Sequence, residues 1–406
     1  VSEPAQSVAN SSTQTTDAAG SGFSALEKRA VFSLALVLML RMLGLFMLLP
    51  VIALVAGVME GQTPLLVGLA VGIYGLTQAA LQIPFGVLSD RVGRHQVIWL
   101  GLAIFIAGSL LAWQASNIYW LLAGRVLQGG GAIAAAGSAL VADLTRETQR
   151  TKAMAVLGVS VGVAFTLSIF VGPLLAGVLG GQGVFLGSAV AGVVAMLLLL
   201  RVPRAPVTKT SNYQFSAVMT TPLLRLDFSV FLLHALVTSV FVVTPALLRD
   251  QFALPLSQHW MVWLGLVVGS LALVLPVVMK SGGRDHLAAY MPIAVAVVAA
   301  GMALASQAVE LPMLMLGFLL FFAGFNFLEA AMPAQVSTLA GSEWRGAAMG
   351  VFATSQFFGA FAGGVWAGWV NAQWGSTRVF MVGACMAVAW YMMMRLWANK
   401  TAGDQS

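Results

Sequence analysis

An all-α integral membrane protein, with twelve helices crossing the bilayer and both termini cytoplasmic, is the fold class this sequence predicts. Three observations predict it. Of 406 residues, 59% are hydrophobic and 8% charged, whereas an ordinary soluble domain carries roughly 25% charged residues. Apolar runs of the roughly 20 residues needed to cross a bilayer recur along the chain, and too little polar surface remains to cover a core that buried them all. Finally, with the N-terminus inside, sixteen of the twenty Lys and Arg fall on the cytoplasmic side, as the positive-inside rule requires. Only Arg249 and Arg378 fall outside, and Arg41 and Arg125 lie within spans. Moving the span count by one destroys this split.

In chain order, residues 1–27 are expected as a disordered tail: the first 22 are rich in Ser, Thr, Ala and Gln, with Glu3 and Asp17 the only charges. No basic start precedes an apolar core there, so the tail is not a signal peptide. Apolar runs set against breaks place six spans at 30–57, 65–88, 96–113, 118–142, 153–179 and 183–200, within a first bundle of residues 28–200. Residues 201–225 are polar and basic with Pro203, Pro206 and Pro222, and read as a cytoplasmic linker. Six further spans, at 226–248, 260–279, 287–306, 311–339, 346–369 and 378–397, form a second bundle, 226–400, before a short tail at 401–406. A shift of 195 positions pairs Val141, Leu144 and Arg150 with Val336, Leu339 and Arg345. It also pairs Ala153, Met154, Val156 and Ser160 with Ala348, Met349, Val351 and Ser355. Duplicated halves around a central site are a transporter architecture.

Few charges remain, so each is informative. Gly86-Val87-Leu88-Ser89-Asp90-Arg91-Val92-Gly93-Arg94-His95 is a charged turn between the second and third spans. Its glycines, Gly86 and Gly93, suit close helix contact and a tight turn, and Asp90, Arg91 and Arg94 can pair charges at the mouth of the bundle. Arg125, in Arg125-Val126-Leu127-Gln128-Gly129-Gly130-Gly131, lies about 10 Å along the fourth span by helical rise. A guanidinium at that depth faces a partner or a water-filled cavity, or snorkels to the outer interface. Gly172-Pro173-Leu174-Leu175-Ala176-Gly177 puts a bend and a tight-packing surface into the fifth span through Gly172, Pro173 and Gly177.

These three segments resemble the major facilitator superfamily. The resemblance covers essentially all of residues 28–400 and implies the major facilitator fold of two six-helix bundles. It implies that the Asp90 loop latches the two halves together on the inner side, with Asp143 at the inner end of the fourth span as the acidic partner of Arg94. It links Arg125 to proton movement. The fifth-span segment partly matches the signature of drug/proton antiporters, departing from it at Ala176. Arg41-Met42-Leu43-Gly44, Gly72 to Gln78, Asp143-Leu144-Thr145-Arg146, Phe327-Leu328-Glu329-Ala330 and Ala348-Met349-Gly350 are similar to the bacterial YajR-type branch. That branch implies a proton-driven exporter in the bacterial inner membrane. Some of its members carry a soluble C-terminal domain, which is not expected here because few residues follow Trp397.

Glu329 is the carboxylate placed clearly inside a span, about 15 Å from Leu339 by helical rise. Two readings of it are open: a group that takes up and releases a proton during a cycle, or one that stays neutral or permanently paired, for example with Arg41 at similar depth. His234 is a further proton candidate, or a simply hydrogen-bonded histidine. Asn326 sits one turn from Glu329, on the same face. Tyr74, Gln78 and Gln82 repeat every four residues and either line a central cavity or bond between helices. Gln128 joins them as a candidate cavity residue.

The functional expectation is a secondary transporter working by alternating access, with inward proton movement driving export of small amphipathic or hydrophobic compounds. Proton-coupled metabolite uptake and a non-transporting sensor on the same fold are the alternatives. The sequence shows no nucleophile–base pair, metal cluster or phosphate loop on a span, so an enzyme and an ATP-driven pump are not expected. With Cys385 the single cysteine, no intrachain disulfide or cysteine-based metal site can form. No cofactor is expected. The partners are lipid, a small-molecule substrate and protons, with the chain a monomer. The basic balance of +6 serves topology and anionic lipid and needs no nucleic acid.

Overall fold

The computed structural model describes residues 22–204, 218–280 and 284–403. The expected tails at 1–21 and 404–406 and most of the linker lie outside the described residues. The remainder is helical: α1 Ala25–Phe46, α2 Leu49–Ala56, α3 Pro64–Val92, α4 Arg94–Trp113, α5 Ile118–Gly130, α6 Ala134–Leu144, α7 Glu147–Leu179 and α8 Gly183–Leu199. After the linker come α9 Thr221–Asp250, α10 His259–Lys280, α11 Arg284–Ala305, α12 Leu311–Leu339, α13 Gly341–Trp374 and α14 Ser376–Gly403. Among the described residues, 11 segments are long and apolar enough to cross a membrane, counting α1–α2 and α5–α6 as one each. At 17 residues, α8 is apolar but shorter. Large apolar side chains such as Val178, Met279 and Val309 are more than 70% exposed. Such a surface suits lipid, where helices satisfy their own backbone groups.

The structure departs from the expected spans where backbone chemistry forces a break. The first span divides at Met47–Leu48, because Pro50 in the first turn of α2 has no N–H to continue the helix. The fourth divides at Gly131–Ile133, where Gly131 lies against the Gly101 carbonyl of α4 and a Cβ would come within 2.6 Å of it. The seventh starts at Thr221, five residues before the expected Leu226: Pro222 opens the helix at its first turn and is not linker. Asp227 is therefore well inside α9 and buried, so Glu329 is not the only carboxylate within a span.

The 195-residue repeat reappears as local structure. Both α6 and α12 end at repeat-related leucines, Leu144 and Leu339. Beyond them, Arg150 donates from Nε to the Ala142 carbonyl at 3.2 Å, and its counterpart Arg345 to that of Ser337 at 3.3 Å. The helices that follow both terminate at a glycine in the left-handed region, Gly180 at φ 77° and Gly375 at φ 85°. A Cβ on either would touch nothing within 4 Å, so its cost is purely conformational. Gly375→Ala is expected to lower stability by about 1–2 kcal/mol, measured as a lower thermal midpoint with transport intact.

Packing within residues 22–204 joins α1 to α7 and α8, and α4 to α5 and α8; beyond the linker, α11 packs on α12 and α14, and α9 on α13. Contacts between these two sets cluster at one end. Gly68 and Gly72 of α3 meet Gly364 of α13 backbone to backbone, Gly177 of α7 lies 3.6 Å from Ser257 when given a Cβ, and α2 packs on α9. Small residues permit this approach without a hydrophobic driving force. At the opposite end, a Cβ on Gly158 or Gly162 of α7, or on Gly346 or Gly350 of α13, would meet nothing within 4 Å. The apolar core follows the same division: one cluster runs through both sets, and a second contains only residues between Val31 and Val202. We call the end that carries these contacts between the two sets the closed end, and the opposite one the open end.

Candidate functional site

Near mid-length of the helices, α12, α13 and α9 bring Glu329, Gln356 and His234 together. The Gln356 amide donates from Nε2 to Glu329 Oε1 at 3.1 Å and lies 2.8 Å from His234 Nε2. His234 Nδ1 lies 3.2 Å from the Val230 carbonyl, which can only accept. A proton on Nδ1 and a lone pair on Nε2 is the tautomer that fits both contacts with the Gln356 amide oriented this way. Glu329 Oε2 lies 3.8 Å from the same Nε2 and has no hydrogen-bond partner. The Glu329 side chain is 35% exposed and that of His234 13%, although Glu329 Oε2 itself is buried. The Nε2–Oε2 separation is longer than a hydrogen bond, so the Gln356 amide is what links the two groups.

One turn from Glu329, an aromatic layer crosses between the two sets of helices. Phe325 of α12 contacts His234 and Phe165 of α7, both at 5.8 Å between ring centroids, and Phe165 contacts Phe46 of α1 at 5.4 Å. Counted along α12, Phe325 lies on the side of Glu329 toward the closed end, so it separates the carboxylate from that end.

The two arginines expected within spans lie in the first set of helices. Arg125 is completely buried: Nε donates to the Ala70 carbonyl at 3.0 Å, and the terminal nitrogens to Val71 at 3.3 Å and Gln128 Oε1 at 2.8 Å. Its guanidinium carbon stands 4.6 Å from the Tyr74 ring centroid, and Gln128 passes the network to Ser109 at 2.8 Å. Partners on α3 thus hold it, and the outer-interface snorkel is excluded. Arg41 is also fully buried, donating to Gln78 Oε1 at 2.5 Å over the Phe105 ring. It makes no ion pair with Glu329, whose partners are Gln356 and His234. Arg125→Lys keeps the charge but cannot span two carbonyls and Gln128, so about 2 kcal/mol of stability should be lost, readable as a lower melting temperature in detergent.

Other expected site residues divide. In the α3 stripe, Tyr74 and Gln78 bond between helices in this structure, and Gln82 is buried with Oε1 unpartnered. Asn326 points to α10, donating to Ser270 at 2.9 Å, and does not join Glu329. Arg94 sits between Asp90, four residues before it, and Asp143 of α6 at 3.1 Å, and it also donates to Ser89 at 2.6 Å. Gly93, at φ 113°, makes the turn that aims it, whereas a Cβ on Gly86 would be only in ordinary contact with Ala135, and Arg91 is exposed. Gly172 lies against the Met47 carbonyl where α1 breaks into α2, leaving no room for a side chain, with Pro173 beside it inside α7. Gly177 faces Ser257 at ordinary distance.

Three participants escape sequence reading. Gln356 is one polar residue in an apolar span, on a helix distant in sequence from both partners; its being a glutamine in such a span is the only signal. Asp227 stands at the very edge of the expected span 226–248, and the earlier start of α9 moves it further in. Glu27, taken as tail, caps α1 with Ser24 and binds Arg146 at 2.9 Å, tying the α6–α7 turn to the start of α1. Among the described residues no group of His, Cys, Asp or Glu could hold a metal ion.

A helical membrane protein with paired helix sets, an internal repeat and a carboxylate at mid-length of its helices has the architecture of a secondary transporter. The chain belongs to the Major Facilitator Superfamily, whose profile matches residues 34–364. It is 39% identical to the inner membrane transport protein YajR of Escherichia coli strain K12, over 90% of this chain and 82% of that one. An uncharacterized transporter of Buchnera aphidicola from Acyrthosiphon pisum is 31% identical over 83% of this chain and 89% of its own. In fold, the chain is similar to a bacterial homolog of the human lysosomal transporter Spinster in an inward-facing, occupied conformation. That match has a TM-score of 0.74 and 14% identity, and covers 92% of this chain and 97% of the other. The protein is a multi-pass membrane transporter of the secondary class, not an enzyme.

Proposed function

We propose that the protein exports a small amphipathic molecule across the bacterial inner membrane in exchange for protons, by alternating access, as a monomer. The observation that carries this reading is the Glu329–Gln356–His234 cluster. It places a carboxylate beside an imidazole, bridged by an amide, near mid-length of three apolar helices. Low dielectric there makes each protonation state costly unless compensated, which is what couples a proton to a conformational change.

Around it we assign residues 28–200 and 221–400 to two bundles of six crossings each, with α8 as the sixth crossing and both termini cytoplasmic. Seventeen residues rise about 26 Å, at the short end of what a bilayer needs. In that orientation the open end faces the cytoplasm and the aromatic layer seals Glu329 from outside. Arg125 holds α5 to α3 so that the first bundle moves as one body. Asp90, Arg94 and Asp143 act on the inner side as a gating latch, whose counterpart on α13 stands clear at Gly346 and Gly350 in this open state. The break at Met47 against Gly172 supplies the bend in the first crossing.

The test is proton movement in sealed vesicles holding the purified protein, with a pH-sensitive dye inside and a panel of compounds added outside. Compound-triggered proton flux that stops when the gradient is collapsed supports exchange. Compound flux that ignores the gradient refutes proton coupling.

A further inference from the structure

On the open-end side of the α3–α13 seam the two helices part. Gly75 still lies against the Phe357 carbonyl. Next along the helices, Leu76, Ala79 and Ala80 of α3 and Thr354, Ser355 and Phe358 of α13 line a groove of about 330 Å³. The Thr354 hydroxyl donates to the Gly350 carbonyl of its own helix at 3.0 Å, which leaves its methyl to the groove. Farther toward the open end, a Cβ on Gly350 or Gly346 would meet nothing within 4 Å, so space beside α13 continues beyond the groove.

The groove lies on the flank of α13 away from the Glu329 cluster. Gln356 turns to α9 and α12, and Phe358 follows it by two residues, about 200° around the helix. Phe358 is 46% exposed, and Ala80 opposite is exposed too. In a membrane that flank meets lipid. From the groove toward the open end, Ala80, Pro84 and Arg91 succeed one another at spacings of four and seven residues, on one face of α3, and all three are exposed. Arg91 stands about 16 Å from Ala80 by helical rise. Its neighbour Arg94 is held by Asp90 and Asp143, whereas no ion pair among the described residues involves Arg91.

Water suits such a groove poorly, because an ordered water needs about two to four polar partners. Hydrocarbon suits it well, because dispersion contact is gained along both walls. The distance from Arg91 to the groove matches the depth of one leaflet, half of a hydrocarbon core of roughly 30 Å. A cation at the interface, with an apolar groove one leaflet deeper on the same face, complements an anionic head joined to an acyl chain.

We propose that an anionic phospholipid of the cytoplasmic leaflet binds here, its head on Arg91 and the end of one acyl chain in the groove between Ala80 and Phe358. A soluble anion would leave the groove unfilled, and a lipid of zero net charge gains less from Arg91. The two walls belong to different helix sets, so the width of the groove is set by how those sets stand at this end. Placement in the cytoplasmic leaflet rests on the orientation proposed above.

The experiment uses the full chain in nanodiscs of phosphatidylcholine, with a trace of phosphatidylglycerol bearing a diazirine in the last few carbons of one palmitoyl chain. After illumination, labelled peptides are mapped by mass spectrometry. Labels are expected at 76–80 and 354–358, about fivefold above those from a phosphatidylcholine probe with the same chain, the factor that one basic side chain contributes beside anionic lipid. Arg91→Gln should erase this preference, and Arg91→Lys should retain it. Ala80→Phe, which fills the groove, should remove labels at 354–358 while the rest of the lipid-facing surface keeps its own. Equal labelling by the two probes would give the groove to any acyl chain and overturn the proposal. A preference that survives Arg91→Gln, or labels spread evenly over the exposed surface, would overturn it as well. Both leaflets hold the probe and no gradient is applied, so the outcome is separate from proton exchange and from orientation.

Discussion

Glu329→Gln is expected to abolish proton-driven flux while leaving exchange of substrate for substrate across the same membrane. Glutamine preserves the size of the side chain and can still bond Gln356, so the fold and the aromatic layer beside it should persist. What it cannot do is change charge, and without that step the empty carrier has no proton to bring it back. The loss in net flux should exceed about a hundredfold, the range in which a positioned acid or base contributes to a proton step. Exchange that falls in parallel would mean that Glu329 holds the substrate or the fold rather than the proton. His234→Ala should act more weakly, because the imidazole is the neighbour of the carboxylate and is itself sheltered at 13% side-chain exposure.

Gly364→Val is expected to be the other severe change. A Cβ there would approach the Gly68 carbonyl and Gly72 Cα of α3 more closely than atoms allow, and both are backbone and cannot swing aside. Within its own bundle the position faces nothing else so close, so the protein should fold. It should be unable to close the end at which α3 and α13 meet, and net transport should fall below about one per cent, as loss of a step worth about 3 kcal/mol implies. Spin labels at Gln62 and Gln373, both exposed near that end, would report a single long separation in the variant. A short separation with normal transport would show that the seam yields easily.

Hydropathy made the crossings legible, because an 18- to 20-residue apolar run is a local property of the chain. The positive-inside pattern is local in the same way, and the proposed orientation rests on it. Breaks within crossings were not legible as such: Pro50 and the glycines at 129–131 announce irregularity, but whether a helix bends, stops or continues depends on what lies alongside it, here the Gly101 carbonyl. The Arg94–Asp143 pair is legible only through the resemblance to the family, which places an acidic partner at that position. Arg125 could be flagged by its depth, yet its partners are carbonyls of α3, which no side-chain pattern encodes. The pairing of Glu329 with Gln356 and His234 joins three helices far apart in sequence, and Arg41, the partner expected at equal depth, turned instead to Gln78. Depth along a helix can be counted from sequence, but azimuth cannot until the neighbours are known.

The most direct test of alternating access around Glu329 is a pair of distances measured in one sample. One pair of spin labels, at Gln62 and Gln373, spans the closed end, and a second, at Gly158 and Gly350, spans the open end. As pH is lowered with substrate present, the two distances should change in opposite directions, and Glu329→Gln should make both indifferent to pH. Distances that rise and fall together, or that respond to pH equally in the variant, would contradict the account.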